Sequence, residues 1–411
     1  MSKRLAIVVG GGPAPGINGV ISAATVEAVN RGMEVVGIMD GFKWLFRGDT
    51  SKTIKLTHKN AWPVHSRGGS ILRISRDFPD DPKKAFSLMV SALKKLKINY
   101  LITIGGDGSS FVAREIEKRT KGAISIVHVP KTIDNDLPLP GGAPTFGFET
   151  ARHWGTEIVE NIIEDARTTG RWYFITTMGR NTGHLTLGIG KSAGATLTLI
   201  PEEFREKKLK FTKVADILES SIIKRLSCGY TYGVALLAEG LSGKMDIKDL
   251  ARYEMLENDE RGLLRLSEIQ LGRIMQNVVH NELISRGLNV KIVHKTIGYE
   301  LRAADPIPFD AEYTRNLGYS AVKHLLKGKS GSMISFYEGK LKPIPLKKII
   351  DPATQRTRVR YVDINADPYI VGRQYMIRLE EEDFNPPLIT SMAKVARMTA
   401  AEFRERFEYL V

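Results

Sequence analysis

The sequence predicts an α/β protein made of two doubly wound, Rossmann-like parallel-sheet lobes. Short apolar segments alternate with longer segments of helical pattern, which is typical of a parallel sheet covered by helices. Glycine, arginine or acidic residues follow several of the apolar segments, and this arrangement recurs in both halves of the chain. Because ligands bind beyond the carboxyl ends of parallel strands, we expect the active site in the cleft between the two lobes.

Length and composition fit two globular domains. The chain has 411 residues, of which 42% are hydrophobic and 26% charged, an ordinary balance for a folded protein. We expect a first lobe over residues 1–145, completed by part of residues 300–350, and a second lobe over residues 146–300. Residues 326–411 form a C-terminal extension whose assignment the sequence leaves open.

The charge balance indicates an anionic partner. With 60 basic and 46 acidic side chains, the net charge of +14 suits either nucleic acid or small, multiply charged anions. We find no zinc-ligand spacing, no aromatic and basic RNA motif and no helix-turn-helix pattern, so we expect no nucleic acid partner. No apolar run is long enough to span a membrane, and we expect neither a signal peptide nor a membrane partner. The single cysteine, Cys228, suits a reducing compartment and predicts a cytoplasmic protein.

A glycine turn follows the first apolar segment. Leu5–Val9 is the length of a buried strand, and Gly10–Gly12 and Pro15–Gly16 separate it from an Ala- and Val-rich helical segment. Backbone N–H groups at such a strand-to-helix turn can bind a phosphate, although a tight turn without a ligand would use the same glycines. The spacing matches neither the dinucleotide nor the P-loop motif.

Two arginines follow the glycine pair Gly68–Gly69. Arg73 and Arg76 are three residues apart, so both could face one way on a helical turn, where one of them could bridge phosphates. An exposed arginine pair is the alternative.

The third feature is a strand that ends in glycines around one acid. After a predicted helix over Pro82–Lys97, strand Tyr100–Ile104 leads into Gly105–Gly106–Asp107–Gly108, and a helix follows from Ser109. The glycines would let the backbone approach phosphates, and Asp107 could hold Mg²⁺ directly or through water. A glycine turn with one solvated acid is the alternative.

The segment His128–Asp136 follows the apolar run Ile124–Val127. Asp134 and Asp136 lie on either side of Asn135, so their environments can differ and give them different roles. We interpret Asp134 as a general base acting on a substrate hydroxyl and Lys131 as a cation that faces a phosphate. A polar turn with solvated acids is the alternative.

Strands in the second half end in similar residues. Trp172–Thr177 is followed by Met178–Gly179–Arg180, with the next helix predicted near Asn181. Further strands end near Glu202, Glu203 and Glu239, and another is followed by Tyr299 and Arg302. Residues 246–287 have a charged helical pattern, and residues 393–411 are predicted to form one amphipathic helix.

Five motifs in this order, GGxPAPGxN, GGDG, PKTIDND, MGR and GYxxR, make the chain resemble the phosphofructokinase family over roughly residues 3–325. PKTIDND together with MGR is highly specific, whereas NAD and lipid kinases share GGDG. The resemblance implies a glycolytic, Mg²⁺-dependent 6-phosphofructokinase that transfers a phosphoryl group to the 1-hydroxyl of fructose 6-phosphate. It also implies a homo-oligomer, a dimer or a tetramer.

The resemblance implies a role for each matching residue. Asp134 would be the base, Asp107 would bind Mg²⁺, and Lys131 and Arg180 would neutralise charge on the moving group. The residues assigned to the donor are Gly12, Arg76, Gly106, Asp107, Gly108 and Ser109. Those assigned to the sugar phosphate are Thr132, Ile133, Asp134, Arg171, Met178, Gly179, Arg180, Glu239, Tyr299 and Arg302, with Arg171 lent to a neighbouring subunit's site. A second intersubunit arginine of the family would fall at Val293, where His294 or Lys295 could substitute.

The identity of the phosphoryl donor depends on three positions. Gly108 leaves room for the α-phosphate of a nucleotide, which favours ATP. Lys131 occurs in pyrophosphate-dependent members of the family but also in some ATP-using branches. Val112 stands where many ATP-dependent members have glycine near the adenine, which weakens the case for ATP. We expect ATP as the donor, with pyrophosphate as the alternative.

Overall fold

The computed structural model describes residues 3–77, 79–252, 268–352 and 357–411, without the side chain of Ile247. The chain divides into two compact units, and each consists of two stretches of sequence. The first unit contains Met1–Ala151 and Tyr299–Arg360, and the second contains Arg152–Gly298 and Tyr361–Val411. The residues beyond 326, whose place the sequence leaves open, are thus divided between the two units.

Strands and helices alternate along most of the described chain. The strands are β1 (Arg4–Val9), β2 (Glu34–Ile38), β3 (Thr53–Leu56), β4 (Tyr100–Gly105), β5 (Ser125–Pro130), β6 (Trp172–Thr177), β7 (Leu197–Leu199), β8 (Gly233–Ala238), β9 (Ile292–Ile297), β10 (Ser332–Met333), β11 (Phe336–Tyr337), β12 (Lys340–Leu341) and β13 (Ile344–Pro345). The helices are α1 (Ile17–Asn30), α2 (Lys43–Phe46), α3 (His58–Ala61), α4 (Pro82–Lys95), α5 (Asp107–Thr120), α6 (Phe148–Thr169), α7 (His184–Ala193), α8 (Phe211–Ser227), α9 (Gly240–Lys244), α10 (Ile247–Leu250), α11 (Leu271–Ser285), α12 (Tyr299–Ala303), α13 (Pro308–Leu326), α14 (Asp367–Gln374), α15 (Leu388–Ala396) and α16 (Ala400–Phe407).

The first unit is built on a seven-stranded sheet in the order β13-β10-β5-β4-β1-β2-β3. The neighbouring strands from β10 to β2 in this order pair in parallel, which confirms the predicted parallel sheet. The edge strands β3 and β13 pair antiparallel, a feature that the sequence pattern did not predict. Antiparallel edge strands are common on otherwise parallel sheets.

Helices cover both faces of this sheet because its strands are apolar on both sides. On β1, Leu5, Ile7 and Val9 belong to one hydrophobic cluster, and Ala6 and Val8 belong to another. Alternate side chains of a strand point to opposite faces, so the two clusters lie on opposite faces of the sheet.

The helices divide between the two clusters in the way a doubly wound fold requires. Ile17 of α1 and Leu317 of α13 pack in the cluster that contains Leu5, whereas Phe86 of α4 and Val112 of α5 pack in the other. The predicted doubly wound architecture is therefore confirmed in this unit.

The short strand β10 completes the sheet beside β5. Ser332 is in register with Val127, and Met333 with His128. This pairing brings the chain beyond α13 next to the strand that leads into the PKTIDND motif.

The second unit contains a four-stranded parallel sheet in the order β7-β8-β6-β9. Thr177, Ala238 and Ile297 are in register at the carboxyl ends of β6, β8 and β9. One hydrophobic cluster surrounds this sheet and includes the buried aromatic residues Trp172 and Phe174. The prediction of a second α/β unit with a parallel sheet is confirmed, whereas a cleft between the units stays a prediction.

The C-terminal helix prediction is wrong in one respect. Residues 393–411 do not form a single helix, because Arg397 adopts a left-handed conformation with φ of 53° and ends α15. Thr399 then caps α16, where it accepts a hydrogen bond from the backbone N–H of Glu402. In residues 246–287, α10 and α11 are helical as predicted, and residues 253–267 lie outside the described part of the chain.

Among the described helices, none combines the length and the apolar character that crossing a membrane requires.

Candidate active site

The glycine turn after β1 lies against the GGDG loop. A side chain on Gly10 would place its Cβ 2.4 Å from Ser109 Oγ and 2.8 Å from the Phe42 ring, so only glycine fits there. The Gly10 N–H donates to the carbonyl of Ile104 at 2.9 Å. Gly11 has a φ of 84°, in the left-handed region that glycine adopts without strain. The structure therefore brings the GGxPAPGxN and GGDG motifs together.

Three cationic side chains converge on this turn, and we call Arg76, Lys131 and Arg302 the cation cluster. Lys131 Nζ donates a hydrogen bond to the carbonyl of Gly12. A Cβ built on Gly12 would lie 2.9 Å from Arg76 Nη2 and 3.1 Å from Arg302 Nη1. These side chains come from three separate parts of the sequence. Such a cluster is the kind of surface that binds a multiply charged anion.

Lys131 is the most buried member of the cation cluster, with 4% of its surface exposed. Burial and the neighbouring charges of Arg76 and Arg302 lower its pKa to about 7, and Asp134 partly opposes this shift. An anion bound at the turn would favour the charged lysine and raise the pKa again.

Arg73 does not face the same way as Arg76, so the prediction of a shared helical face is wrong. Arg73 adopts a left-handed conformation with φ of 54°, and its guanidinium forms an ion pair with Asp40 at 2.8 Å. Ser75 forms an isolated parallel β-bridge with Gly10. The next residue, Arg76, therefore lies beside the turn at Gly12.

Acidic groups accumulate after β4 and β5. Burial raises the pKa of Asp136, and the nearby charges of Asp134 and Asp107 raise it further. Asn135, between the two aspartates, adopts a left-handed conformation with φ of 56°, which asparagine tolerates better than most residues. Asp134 and Asp136 are therefore set into one sharply turned loop, close to a third carboxylate.

The predicted Mg²⁺ ligand Asp107 is exposed at the start of α5. Its Oδ1 accepts a hydrogen bond from the backbone N–H of Thr357 at 3.0 Å. The described residues contain no group of three or more metal-ligating side chains. This composition still fits Mg²⁺, because that ion usually binds one or two carboxylates and completes its shell with water and substrate phosphates. The carboxylates that crowd Asp136 also supply the negative charge that a divalent cation would balance.

Hydrogen bonds hold the loop that carries Thr132 and Ile133. The Asp134 N–H donates to Thr132 Oγ1 at 3.0 Å, and Thr145 Oγ1 donates to the Thr132 carbonyl at 2.7 Å. The Thr145 N–H donates to Asn135 Oδ1 at 3.0 Å. Ile133 is buried.

In the second unit, the MGR motif and Glu239 lie side by side. Met178–Gly179–Arg180 follows β6 and Glu239 follows β8, with the Glu239 N–H donating to the Thr177 carbonyl at 3.0 Å. Gly179 has a φ of 144°, and a Cβ on it would lie 2.7 Å from the carbonyl oxygen of Thr182. The structure thus brings together four of the residues that the sequence assigned to the sugar phosphate. Tyr299 and Arg302 belong to the first unit, where the Arg302 guanidinium lies 4.5 Å from the Tyr299 ring centre.

Arg171 lies at the opposite end of β6 from Met178. It immediately precedes the strand, and its buried Nε has no hydrogen-bond partner. On the edge strand β9, Val293 and Lys295 share a face because alternate residues do. His294 points to the other face, where its Nδ1 lies 2.6 Å from Gln276 Oε1. Of the two predicted substitutes for an arginine at Val293, Lys295 is the one on the same face, and its role stays a prediction.

Two acids noted at strand ends have structural partners in the second unit. Glu202 accepts hydrogen bonds from the backbone N–H groups of Gly183 and Val362. Glu203 forms an ion pair with Arg378.

Two contacts in the first unit's site were not predicted from the sequence. Arg302 was assigned to the sugar phosphate, but it lies beside Arg76 at Gly12. Arg360 contacts the loop that carries Asp134 and was not considered at all. Neither contact has a sequence signal, because the partners are far apart in the chain and Arg360 lies in no motif.

Comparison with known proteins establishes the family. A model of the phosphofructokinase family matches residues 4–325, so the chain belongs to the phosphofructokinase family, whose members are phosphotransferases. This confirms the resemblance that the motifs indicate.

Three individual proteins illustrate the similarity. The pyrophosphate–fructose 6-phosphate 1-phosphotransferase of Thermotoga maritima is 50% identical over 99% of this chain and 98% of its own length. The ATP-dependent 6-phosphofructokinase of Chloroflexus aggregans is 31% identical over 84% of this chain and 90% of its own. The solved structure of a pyrophosphate-dependent phosphofructokinase from Nitrosospira multiformis matches with a TM-score of 0.69 over 93% of each chain. Its 17% identity supports the fold alone.

Proposed function

We propose that this protein transfers a phosphoryl group from pyrophosphate to the 1-hydroxyl of fructose 6-phosphate, giving fructose 1,6-bisphosphate and orthophosphate. The relative named for pyrophosphate is 50% identical to this chain, against 31% for the one named for ATP. The comparisons therefore favour the alternative that the sequence left open over the ATP donor that Gly108 suggested.

The observation that carries the proposal is the cation cluster at Gly12. Lys131 is buried and its pKa is depressed, so a small, dense anion that raises this pKa again would gain strongly from binding beside it. Arg76 and Arg302 add two further charges at the same turn. Pyrophosphate concentrates its charge on two adjacent phosphates, which matches a cluster centred on one residue.

The argument for ATP from Gly108 is weaker beside these observations. Gly108 is exposed at the start of α5 and, having no side chain, admits a phosphate of either donor. Val112, one turn further along α5, is buried in a hydrophobic cluster, so the sequence places an apolar core residue where a nucleotide-binding enzyme of the family has glycine.

The chemistry follows from the positions of the acids and cations. Asp134 would accept the proton of the sugar 1-hydroxyl as that oxygen forms a bond to phosphorus. The bridging P–O bond of pyrophosphate breaks in the same displacement, and orthophosphate leaves with the electron pair. Arg76, Lys131 and Arg302 would stabilise the charge on the transferred and leaving groups, because positioning and charge neutralisation dominate phosphoryl transfer.

Asp107 would hold Mg²⁺, with the Asp136 carboxylate close by. When bound, the ion would supply further positive charge to the donor phosphates. The sugar-phosphate roles of Met178, Gly179, Arg180 and Glu239, and the homo-oligomeric state, belong to the same proposal. A cytoplasmic location also stays a prediction.

Steady-state kinetics with each donor tests the proposed function. Fructose 1,6-bisphosphate formation is measured with pyrophosphate and with ATP under the same Mg²⁺ and sugar concentrations. We expect kcat/KM for pyrophosphate to exceed that for ATP by about a hundredfold or more, a ratio within reach of a site whose polar groups pair with only one of the two donors. A preference for ATP would contradict the donor assignment, and inactivity with both would contradict the function.

A further inference from the structure

The loop that carries the two aspartates needs support at Asn135. Asp134 and Asp136 are separated only by this residue, whose backbone is left-handed with φ of 56°. A left-handed residue other than glycine persists only where its surroundings hold it. The positions of both carboxylates therefore depend on what fixes Asn135.

Arg360, the last residue of the first unit in the sequence, supplies that support. Its Nε and Nη2 donate to the Asn135 carbonyl at 3.1 and 2.8 Å, and Nη2 also donates to Asn135 Oδ1. Its Nη1 donates to the carbonyl of Ala143 at 3.2 Å, on the returning arm of the same loop. Its backbone N–H donates to the Asp136 carbonyl at 2.7 Å. One residue thus binds the Asn135 side chain, the peptides on both sides of Asp136 and the returning arm of the loop.

The surroundings of Arg360 favour a role beyond packing. Burial lowers the pKa of its guanidinium, whereas the nearby Asp136 carboxylate raises it. A neighbouring acid and a forked set of acceptors suit a guanidinium and not an ammonium group, which has no fixed fork. The segment it belongs to also contacts the proposed metal ligand, because the Thr357 N–H donates to Asp107 Oδ1.

We propose that Arg360 is a positioning residue that fixes the Asn135 turn and so places the Asp134 and Asp136 carboxylates for phosphoryl transfer. The residue lies outside the span that the family model matches, residues 4–325. The proposal rests on the proposed function, because it requires Asp134 to be the base. It predicts that the C-terminal region contributes to turnover and not only to stability.

Kinetics of Arg360→Ala and Arg360→Lys test this proposal, measured with the donor that the wild type uses. We expect kcat of Arg360→Ala to fall about a hundredfold, the effect of misplacing a catalytic group by about 1 Å. KM for both substrates should change by less than about threefold, because the lost contacts orient the base and do not bind substrate. Arg360→Lys should also lose most of its kcat.

Guanidinium ion provides the readout that a purely structural residue would not give. Added well below denaturing concentrations, it should restore part of the kcat of Arg360→Ala, whereas sodium chloride at equal ionic strength should not. Arg358→Gln is the matched control, because Arg358 is exposed on the same segment, and it should keep wild-type kcat. Asp134→Asn is the reference for loss of the base and should not respond to guanidinium.

Three results would overturn the role of Arg360: kcat within about threefold of wild type in folded Arg360 variants, a loss confined to KM, or no guanidinium rescue. If Arg360→Ala does not unfold cooperatively and is therefore not properly folded, Arg360→Lys replaces it in the test. A kcat of Arg360→Lys within about threefold of wild type would then overturn the role of Arg360. Failure of the proposed function looks different, because the wild type would then be inactive with both donors. Near wild-type activity of Asp134→Asn would show that Asp134 is not the base. The proposed role of Arg360 would then fail as well.

Discussion

At the scale of single residues, the surroundings of three residues in the first unit's site change their pKa or their backbone conformation. Lys131 is buried among cations, Asp136 is buried among acids, and Asn135 is held in a left-handed turn. Opposite charges are thus gathered into neighbouring clusters that a bound anion and a cation would balance. The next two predictions concern one residue from each cluster.

Asp134→Asn should abolish most turnover without weakening substrate binding. The amide cannot accept the hydroxyl proton, and a positioned general base contributes on the order of 10²–10⁴-fold to kcat. KM for fructose 6-phosphate should stay within about threefold of wild type. Steady-state kinetics measures both quantities, and Asp80→Asn at an exposed position is the control. A kcat close to that of the wild type would show that Asp134 is not the base.

Lys131→Met should stabilise the free protein at low pH more than at high pH. The folded pKa of about 7 lies below the ordinary lysine value of 10.5, so the buried charge disfavours folding below pH 7. This cost declines as the pH rises from 7 towards 10.5, where the unfolded lysine also loses its proton. The variant should gain on the order of a few kcal/mol at pH 6 and much less at pH 9.5.

Urea unfolding in phosphate-free buffer at the two pH values measures the effect of Lys131→Met. Lys118→Met, at an exposed position on α5, is the control and should show no such pH dependence. An equal change in the free energy of unfolding at both pH values would argue against a depressed pKa.

At the scale of elements, strand ends and helix starts place the site. The turn after β1, the GGDG loop after β4 and the PKTIDND loop after β5 follow neighbouring parallel strands. Asp310, near the start of α13, then fixes the start of α6 after the PKTIDND loop. Its carboxylate is fully buried and accepts hydrogen bonds from the N–H groups of Gly147 and Thr150 and from Thr150 Oγ1.

Asp310→Asn should lower the free energy of unfolding by about 1–3 kcal/mol, because the amide replaces an acceptor oxygen with a donor and leaves buried N–H groups unsatisfied. Glu312→Gln, exposed on the same helix, should change it by less than about 0.5 kcal/mol. Equilibrium urea unfolding compares the two variants. If Asp310→Asn is as stable as Glu312→Gln, these hydrogen bonds do not anchor α6.

The sequence predicts those parts of the site that are local. Gly10–Gly12 and Asp107 are recognisable because each combines a strand, glycines and a helix start within a few residues. Residue spacing was not enough to predict the directions of Arg73 and Arg76, because Arg73 itself is left-handed and the helical spacing does not apply. Arg302 at Gly12 and Arg360 at Asn135 could not be predicted, since only the folded chain brings these partners together.

At the scale of the whole molecule, the chain forms two α/β units whose sheets differ in size and topology. The first unit carries the cation cluster and the acids, and the second carries the MGR motif and Glu239. Arg171 lies at the amino end of β6, away from the carboxyl end that carries Met178. We therefore propose that Arg171 serves a neighbouring subunit's site, which requires the proposed homo-oligomer.

Mixed oligomers should therefore recover activity from two inactive variants. Arg171→Ala subunits keep the base, and Asp134→Asn subunits keep the arginine, so hybrids would contain some sites with both groups. Mixing Asp134→Asn with Asp107→Ala is the control, because both changes belong to the first unit of one chain and every site would lack one of them. Activity of the unfolded and co-refolded mixtures measures complementation. No recovery in hybrids shown to form would mean that Arg171 serves no neighbouring site.

The most direct test of the central claim is a competition between the two donors. Fructose 6-phosphate, Mg²⁺, pyrophosphate and ATP are combined with the wild-type protein, with equal donor concentrations, and the phosphorus NMR spectrum is followed over time. We predict that the pyrophosphate signal disappears while orthophosphate and fructose 1,6-bisphosphate appear, and that ATP is left unchanged. Consumption of ATP with formation of ADP, while pyrophosphate persists, would contradict the claim.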